Sequence, residues 1–353
     1  MDKLPSLIIN VAILFVMMVP GIVLKKCKLC PDGFGKGISN LVLYIAQPAL
    51  IVYSYLECQS KFTDMWLNIL LTFVLSLFCH VLFTIVALPT FAKAPESRAR
   101  MLKFATIFSN AAFMGIPLIR AFMSAEAAIY ASIYNVSFNL FLWTLGVYLC
   151  THEKGKDMDG DGDSDARDAY LQMRHHTKKE GGFLKVLLHP VTLASVIGIV
   201  FMVSGVNIPL YEKAVLEGSL TQPLSGILQV LIDSLVMLKS LVAPLAMVVI
   251  GLRLPDVSMK GFFSDKYMYI FVLLRHIALP FAVLGVIKLL VLMGVPVSEE
   301  VTQVTVILAA APAASSATMF AEKYDCDAVY VSRLVIASTI LSIATMPLLL
   351  IAI

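Results

Sequence analysis

Ala128-Ile129-Tyr130-Ala131-Ser132 returns 200 positions later as Ala328-Val329-Tyr330-Val331-Ser332, each following an apolar run that its own small residues interrupt. The interruptions coincide at that offset too: Ser109-Asn110-Ala111-Ala112 through Gly115-Ile116-Pro117 in one half, Ala311-Pro312 through Ser315-Ser316 in the other. Pro48, in Ala46-Gln47-Pro48-Ala49-Leu50, matches Pro244, in Val242-Ala243-Pro244-Leu245-Ala246, at an offset of 196. The chain reads as one membrane unit used twice. Interrupted spans at corresponding positions of two halves are the sequence mark of a transporter's binding site.

Composition agrees with a polytopic membrane protein: 59% of the 353 residues are hydrophobic and only 14% are charged. Ten spans are expected, at about 6 to 24, 37 to 56, 65 to 90, 101 to 123, 127 to 150, 186 to 204, 232 to 252, 264 to 293, 301 to 322 and 328 to 351, each near the roughly 20 residues that a bilayer requires. Lys25, Lys26 and Lys28 follow the first apolar run instead of preceding it, so that run is not a secretory signal and the N-terminus lies outside. With that orientation most of the 27 lysines and arginines, Arg253 among them, fall on inner loops, and Lys3, Lys61 and Lys213 on outer segments, which places both termini outside. Five spans per half is an odd number, so the second copy enters with opposite polarity. The expected fold is an all-α membrane protein of ten transmembrane helices in a 5+5 inverted repeat, with crossed, broken helices 4 and 9. Its units are 1–151, a cytoplasmic linker 152–184, and 185–353. A net charge of +3 says little in itself; no nucleic-acid partner is expected, and the lipid bilayer is the expected surroundings.

The linker holds Asp157, Asp159, Asp161, Gly162, Asp163, Asp165 and Asp168, a spacing that imitates a calcium loop. Asp168 stands where a longer Glu normally supplies both oxygens, and no flanking helix pair is visible, so a solvated acidic and then basic linker is preferred. Of the six cysteines only Cys27-Lys28-Leu29-Cys30 has a ligand-like spacing; zinc requires four ligands, so no metal and no cofactor is expected. Gly33-Phe34-Gly35-Lys36-Gly37 lacks the spacing and hydroxyl of a phosphate loop. No nucleophile, base or nucleotide motif has a supporting context, which points away from an enzyme.

A helix break in hydrocarbon exposes backbone groups that cost several kcal/mol each unless protein or a polar cavity receives them. The two breaks are therefore expected to face one another. Ser109 and Asn110 can cap a half-helix and offer an amide to a ligand, Gly115 permits close approach and Pro117 removes a donor. Pro312, beside Ala311, opens the second ladder, and Ser315, Ser316 and Thr318 supply hydroxyls. Positive half-helix N-termini would attract an anion there without a fixed basic residue. The competing explanation is that Gly, Pro, Ser and Ala in membrane helices only allow close packing or a kink; coincidence of two breaks in a repeat weighs against it. Neither 105–119 nor 305–319 contains Asp, Glu, Lys, Arg or His, which disfavours a proton antiporter. Elsewhere in the spans stand His80, Asp233, Lys239, Arg275, His276 and Arg333. For Arg275 a hydrogen bond to backbone carbonyls and a role near substrate are balanced; Asp233 and Lys239 can be solvated or snorkel. For His80 and Asn139 interhelical hydrogen bonding is the default.

Ser109 through Leu118 resembles the auxin efflux carrier family, which includes the plant PIN-FORMED carriers and bacterial permeases. Met114 through Leu118 repeats the plant motif, and Asn110 matches the asparagine of its Leu-Pro-Asn-Thr element. Ala311-Pro312 followed by Phe320-Ala321-Glu322-Lys323-Tyr324 is similar to the family's Leu-Pro and Phe-Ala-Lys-Glu-Tyr elements, and Gln47-Pro48-Ala49-Leu50 to a Val-Pro-Leu element. The resemblance covers nearly all ten spans. It implies a scaffold of spans 1, 2, 6 and 7, a moving unit carrying crossed spans 4 and 9, elevator-like motion, and a scaffold that often forms a homodimer. It also aligns Asn135 with a polar position facing the site. Ser109 replaces a proline and Ala313 a glutamine, departures that point away from the plant hormone; the short linker is closer to bacterial permeases associated with small carboxylates such as malate or malonate.

The expected function is a secondary carrier of a small organic anion, with Gln47, Ser109, Asn110, Gly115, Pro117, Asn135, Ala311, Pro312, Ser315 and Ser316 as its substrate-binding residues. The alternatives are a sodium-coupled symporter with ligands near Ser315, Ser316 and Thr318, and a membrane sensor or scaffold acting through the linker.

Overall fold

The computed structural model describes residues 9–151 apart from 10, 11, 14, 32 and 59–61, together with 188–204, 226–256 and 265–353 apart from 325. The linker with its acidic run lies outside the described residues. Among them the fold is all-helical with no strand, and five helices are long and apolar enough to cross a membrane. In chain order the elements are α1 Val19–Lys26, α2 Phe34–Glu57, α3 Phe62–Thr90, α4 Glu96–Ile107, α5 Ile116–Phe122 preceded by the π turn Ala111–Gly115, and α6 Ala125–Thr151. The second half contributes α7 Pro190–Ser204, α8 Val230–Arg253, α9 Lys266–Leu292, α10 Glu299–Ala310, α11 Ser316–Lys323 and α12 Ala328–Ala352.

Local chemistry sets many of these ends. Ser124, Ser298, Asp265 and Asp327 each accept a backbone N–H from the first turn of the helix they precede, satisfying a donor that the helix leaves orphaned. Three π turns, Val42–Ala46, Ala111–Gly115 and Leu274–Ala278, each end two residues before a proline, at Pro48, Pro117 and Pro280. A proline ring collides with the carbonyl four residues back and donates nothing to it. One wider turn at that carbonyl relieves the clash without breaking the helix. The same widening rotates the residues beside it, and Gln47 and Arg275 are among them.

Small residues bring α1 and α8 together. A Cβ on Gly21 would meet the Val248 carbonyl oxygen, and one on Gly251 would meet the Met18 carbonyl oxygen, so the two backbones touch directly. At Gly198 of α7 an added Cβ would run into the Tyr55 ring of α2. Such contacts replace hydrophobic burial as the source of helix association in lipid. Lys239 does not simply reach for water: its Nζ lies 3.3 Å from the centre of the Tyr53 ring, a cation-π contact. His80 Nδ1 donates to Ser76 O, 2.7 Å away on its own helix, and the ring stacks on Phe141 at 5.0 Å. Its role is therefore packing within an aromatic cluster, and the bond is intrahelical where an interhelical one was expected.

Replacing Gly251 by Val forces two backbones apart and is expected to destabilise by roughly 1–3 kcal/mol. Gly285, where an added Cβ meets nothing within 4 Å, is the control. Thermal unfolding in detergent should show a lower Tm for Gly251→Val only; equal melting of both variants would mean that α1 and α8 do not touch there.

Candidate functional site

The helical ladder lapses after Ile107 and again after Ala310, and the two exposed stretches pair with each other. Ser109 and Ala313 form an antiparallel bridge. Asn110 N–H donates to Pro312 O at 2.6 Å and Ala314 N–H to Phe108 O at 2.9 Å. Asn110 O in turn accepts the N–H groups of Met114 and Gly115, both at 3.1 Å, which starts the π turn ahead of α5. Backbone groups released by one interruption are thus received by the other, as burial away from water demands.

Arg275 takes one carbonyl at the end of α4 and one just past the end of α10. Its Nε and Nη2 donate to Ala311 O at 3.1 and 2.6 Å, and Nη1 donates to Thr106 O at 3.0 Å. The side chain is completely buried, with the guanidinium 5.4 Å from the Phe83 ring centre. Among the described residues no carboxylate forms an ion pair with it. Its counter-charge is the partial negative charge of two helix C-termini, about half a unit each. Arg275 thus has the backbone role that the sequence held in balance with a role near substrate.

The adjacent His276 reaches the same place by another route. Nε2 is 2.9 Å from Ser338 Oγ, and Nδ1 is 3.0 Å from Thr345 Oγ1. Ser338 Oγ accepts the Ala313 N–H at 2.9 Å, so its own proton is available to Nε2 and the ring proton is assigned to Nδ1.

Beside this crossing lies a cavity of about 120 Å³. Gln47, Ser109, Asn110, Asn135, Ser315 and Ser316 all line it, with Asn139 one turn beyond Asn135. Its walls include Tyr44, Phe138, Trp143, Met319 and Phe320, and its titratable residues are Tyr44 and His189. Asn110 Nδ2, Ser315 Oγ and Gln47 Oε1 are buried without a hydrogen-bond partner, a state that costs about 1–3 kcal/mol per group unless a ligand or water satisfies it. Gln47 Nε2 is already engaged, donating to Ala112 O at 3.0 Å. Asn110 occupies the cap position of the π turn, yet its side chain makes no capping bond. The amide nitrogen is left unpaired, on a residue that lines the cavity.

Gly115, Pro117, Ala311 and Pro312 do not line the cavity; they shape its backbone. A Cβ on Gly115 would strike the Leu308 side chain, so glycine lets the π turn approach α10. Pro117 is buried two residues after that turn, Ala311 O receives Arg275, and Pro312 O receives Asn110. Arg253 went unnoticed: assigned from the sequence to an inner loop, it donates from Nη1 to Ser315 O at 2.8 Å and contacts Thr318 Oγ1. Its signal was its position, the last residue of an apolar helix that must end near the second interruption. Two guanidinium groups therefore touch a crossing whose own sequence windows are free of charge.

A family model described as a membrane transport protein matches residues 6–350, nearly the whole chain. No curated protein matches it.

Ser338→Ala strands the buried Ala313 N–H and removes a partner of His276. It should lower stability by about 1–3 kcal/mol, read as a Tm shift in detergent. An unchanged Tm would mean that this hydroxyl does not hold the second interruption.

Proposed function

Because the chain belongs to the membrane transport protein family, the family that includes the auxin efflux carriers, we propose that this multi-pass membrane transporter carries a small organic anion through the cavity at its crossing. The observation that supports this most is the donor set: Asn110 and Ser315 line a cavity without a carboxylate, and Asn110 Nδ2 and Ser315 Oγ are buried and unpartnered. A carboxylate accepts hydrogen bonds at both oxygens, and charge-assisted bonds of this kind are worth about 1.5–3 kcal/mol each. Asn135 and Ser316 complete the proposed contact set, with Trp143 and Phe320 against the apolar part of the ligand.

In this reading α4 with α5, and α10 with α11, are the broken spans 4 and 9 of a ten-helix 5+5 inverted repeat with units 1–151 and 185–353. The unit carrying them moves in elevator fashion against a scaffold of α1, α2, α7 and α8, which forms the homodimer. Positive-inside bias supports termini outside the cell membrane and the 152–184 linker inside. An anion leaving a negative-inside cell gains about 2.3 kcal/mol per charge per 100 mV, so export needs no coupled ion. Arg253 bears on the sodium alternative: Ser315 O and Thr318 Oγ1, which sodium would need, already face a guanidinium.

A thermal-shift screen of purified protein against mono- and dicarboxylates, including malate, malonate and indole-3-acetate, should raise the Tm for at least one acid. Removing one donor to a charged ligand lowers affinity by about ten- to hundredfold, so Asn110→Ala should lose that shift and most flux. The unliganded Tm should hold, because Asn110 Nδ2 has no partner to lose. Wild-type flux from Asn110→Ala would remove Asn110 from the site; a panel without any shift would remove the carboxylate.

A further inference from the structure

We infer that Arg275 determines the sign of charge the crossing accepts, although it lies behind the cavity and does not line it. The inference rests on the carrier reading for its biological use, but its test does not. Four helix ends meet here: the C-terminal ends of α4 and α10, and the N-terminal ends of the Ala111–Phe122 segment and of α11. Each end carries roughly half a unit charge, negative at C-termini and positive at N-termini. Summed over the four, these partial charges cancel, so the negative ends oppose the attraction for an anion that the sequence assigned to the N-termini alone.

Arg275 breaks that symmetry. Its three bonds go to Ala311 O and Thr106 O only, so one full positive charge is set on the two negative ends. With no described carboxylate paired to it, the positive ends remain unopposed. They point toward the cavity that holds the unpartnered amide of Asn110, 2% exposed, and hydroxyl of Ser315, 4% exposed. Arg253 adds positive charge at the Ser315 end. Arg275 is thus a specificity-determining residue that acts through the backbone.

The test reads potential without needing the substrate. Ser316, a partly exposed cavity residue, is replaced by Cys. Its modification by two thiosulfonate reagents of similar size, one bearing a sulfonate and one a trimethylammonium group, is followed by mass spectrometry of the labelled peptide. Relative to a small free thiol, the parent should favour the sulfonate reagent by more than tenfold. One unit charge about 10 Å away at an effective dielectric of about 20 alters each rate by about tenfold, in opposite directions. Arg275→Gln should therefore lower the preference by more than tenfold, to the part that Arg253 sustains, while Arg275→Lys retains it.

Distortion of the site slows both reagents together and leaves their ratio intact. A ratio unchanged in Arg275→Gln overturns the inference, as does an equal fall in Gln and Lys variants. Should Arg275→Gln fail to fold, absence of sulfonate preference in the parent still overturns it. A preserved sulfonate preference in a protein that transports no carboxylate would refute the carrier reading alone.

Discussion

A single buried guanidinium, that of Arg275, binds a backbone carbonyl at each of the two interruptions. Two helices that stop inside an apolar interior each leave carbonyls with no partner, and no water is at hand to supply one. The interruptions satisfy part of this deficit by pairing with each other at Ser109 and Ala313; the carbonyls of Thr106 and Ala311 are left to Arg275. The cost of burying the cation and the cost of ending two helices offset one another in the same three bonds. Removing either partner would leave the other uncompensated, so the break and the arginine belong together.

The rest of the crossing follows from how α9 and α2 present their side chains. Each contains a π turn ending two residues before a proline, and each turn places a polar residue against an interruption: Arg275 from inside one, Gln47 directly after the other. His276, next to Arg275, adds a third support through Ser338 to the Ala313 N–H. Side chains thus brace the backbone of both interruptions, while Asn110 Nδ2 and Ser315 Oγ are left with hydrogen-bonding capacity unused. A braced backbone with available side chains is the arrangement that the proposed binding site would need.

Much of this was legible in the sequence because the relevant signals are local. Apolar runs of bilayer length gave helices close to their observed limits, as with 65–90 against Phe62–Thr90 and 328–351 against Ala328–Ala352. Ser109-Asn110 and Ala311-Pro312 marked the places where the ladder fails, since small, polar and proline residues weaken a helix wherever they stand. What stayed hidden depends on partners distant in the chain. Arg275 could not be assigned because its partners are main-chain oxygens, which no residue pattern reveals. Arg253 read as a loop cation until the fold brought Ser315 to it. Gly115, Pro117, Ala311 and Pro312, read with the substrate-binding residues, are not among those lining the cavity; residues that permit a break need not be the residues that use it.

In the proposed carrier the crossing holds an anion by neutral donors and helix ends, with the guanidinium charges set behind the backbone. An ion bound this way keeps its charge and is not locked in an ion pair, so it can leave on either side. Solid-supported membrane recordings from proteoliposomes of the wild-type protein test this most directly. A step in carboxylate concentration, without a sodium or proton gradient, is expected to give a saturable transient current of the sign of anion movement. Absence of current for every carboxylate that binds, or a current that appears only with a sodium gradient, would contradict the account.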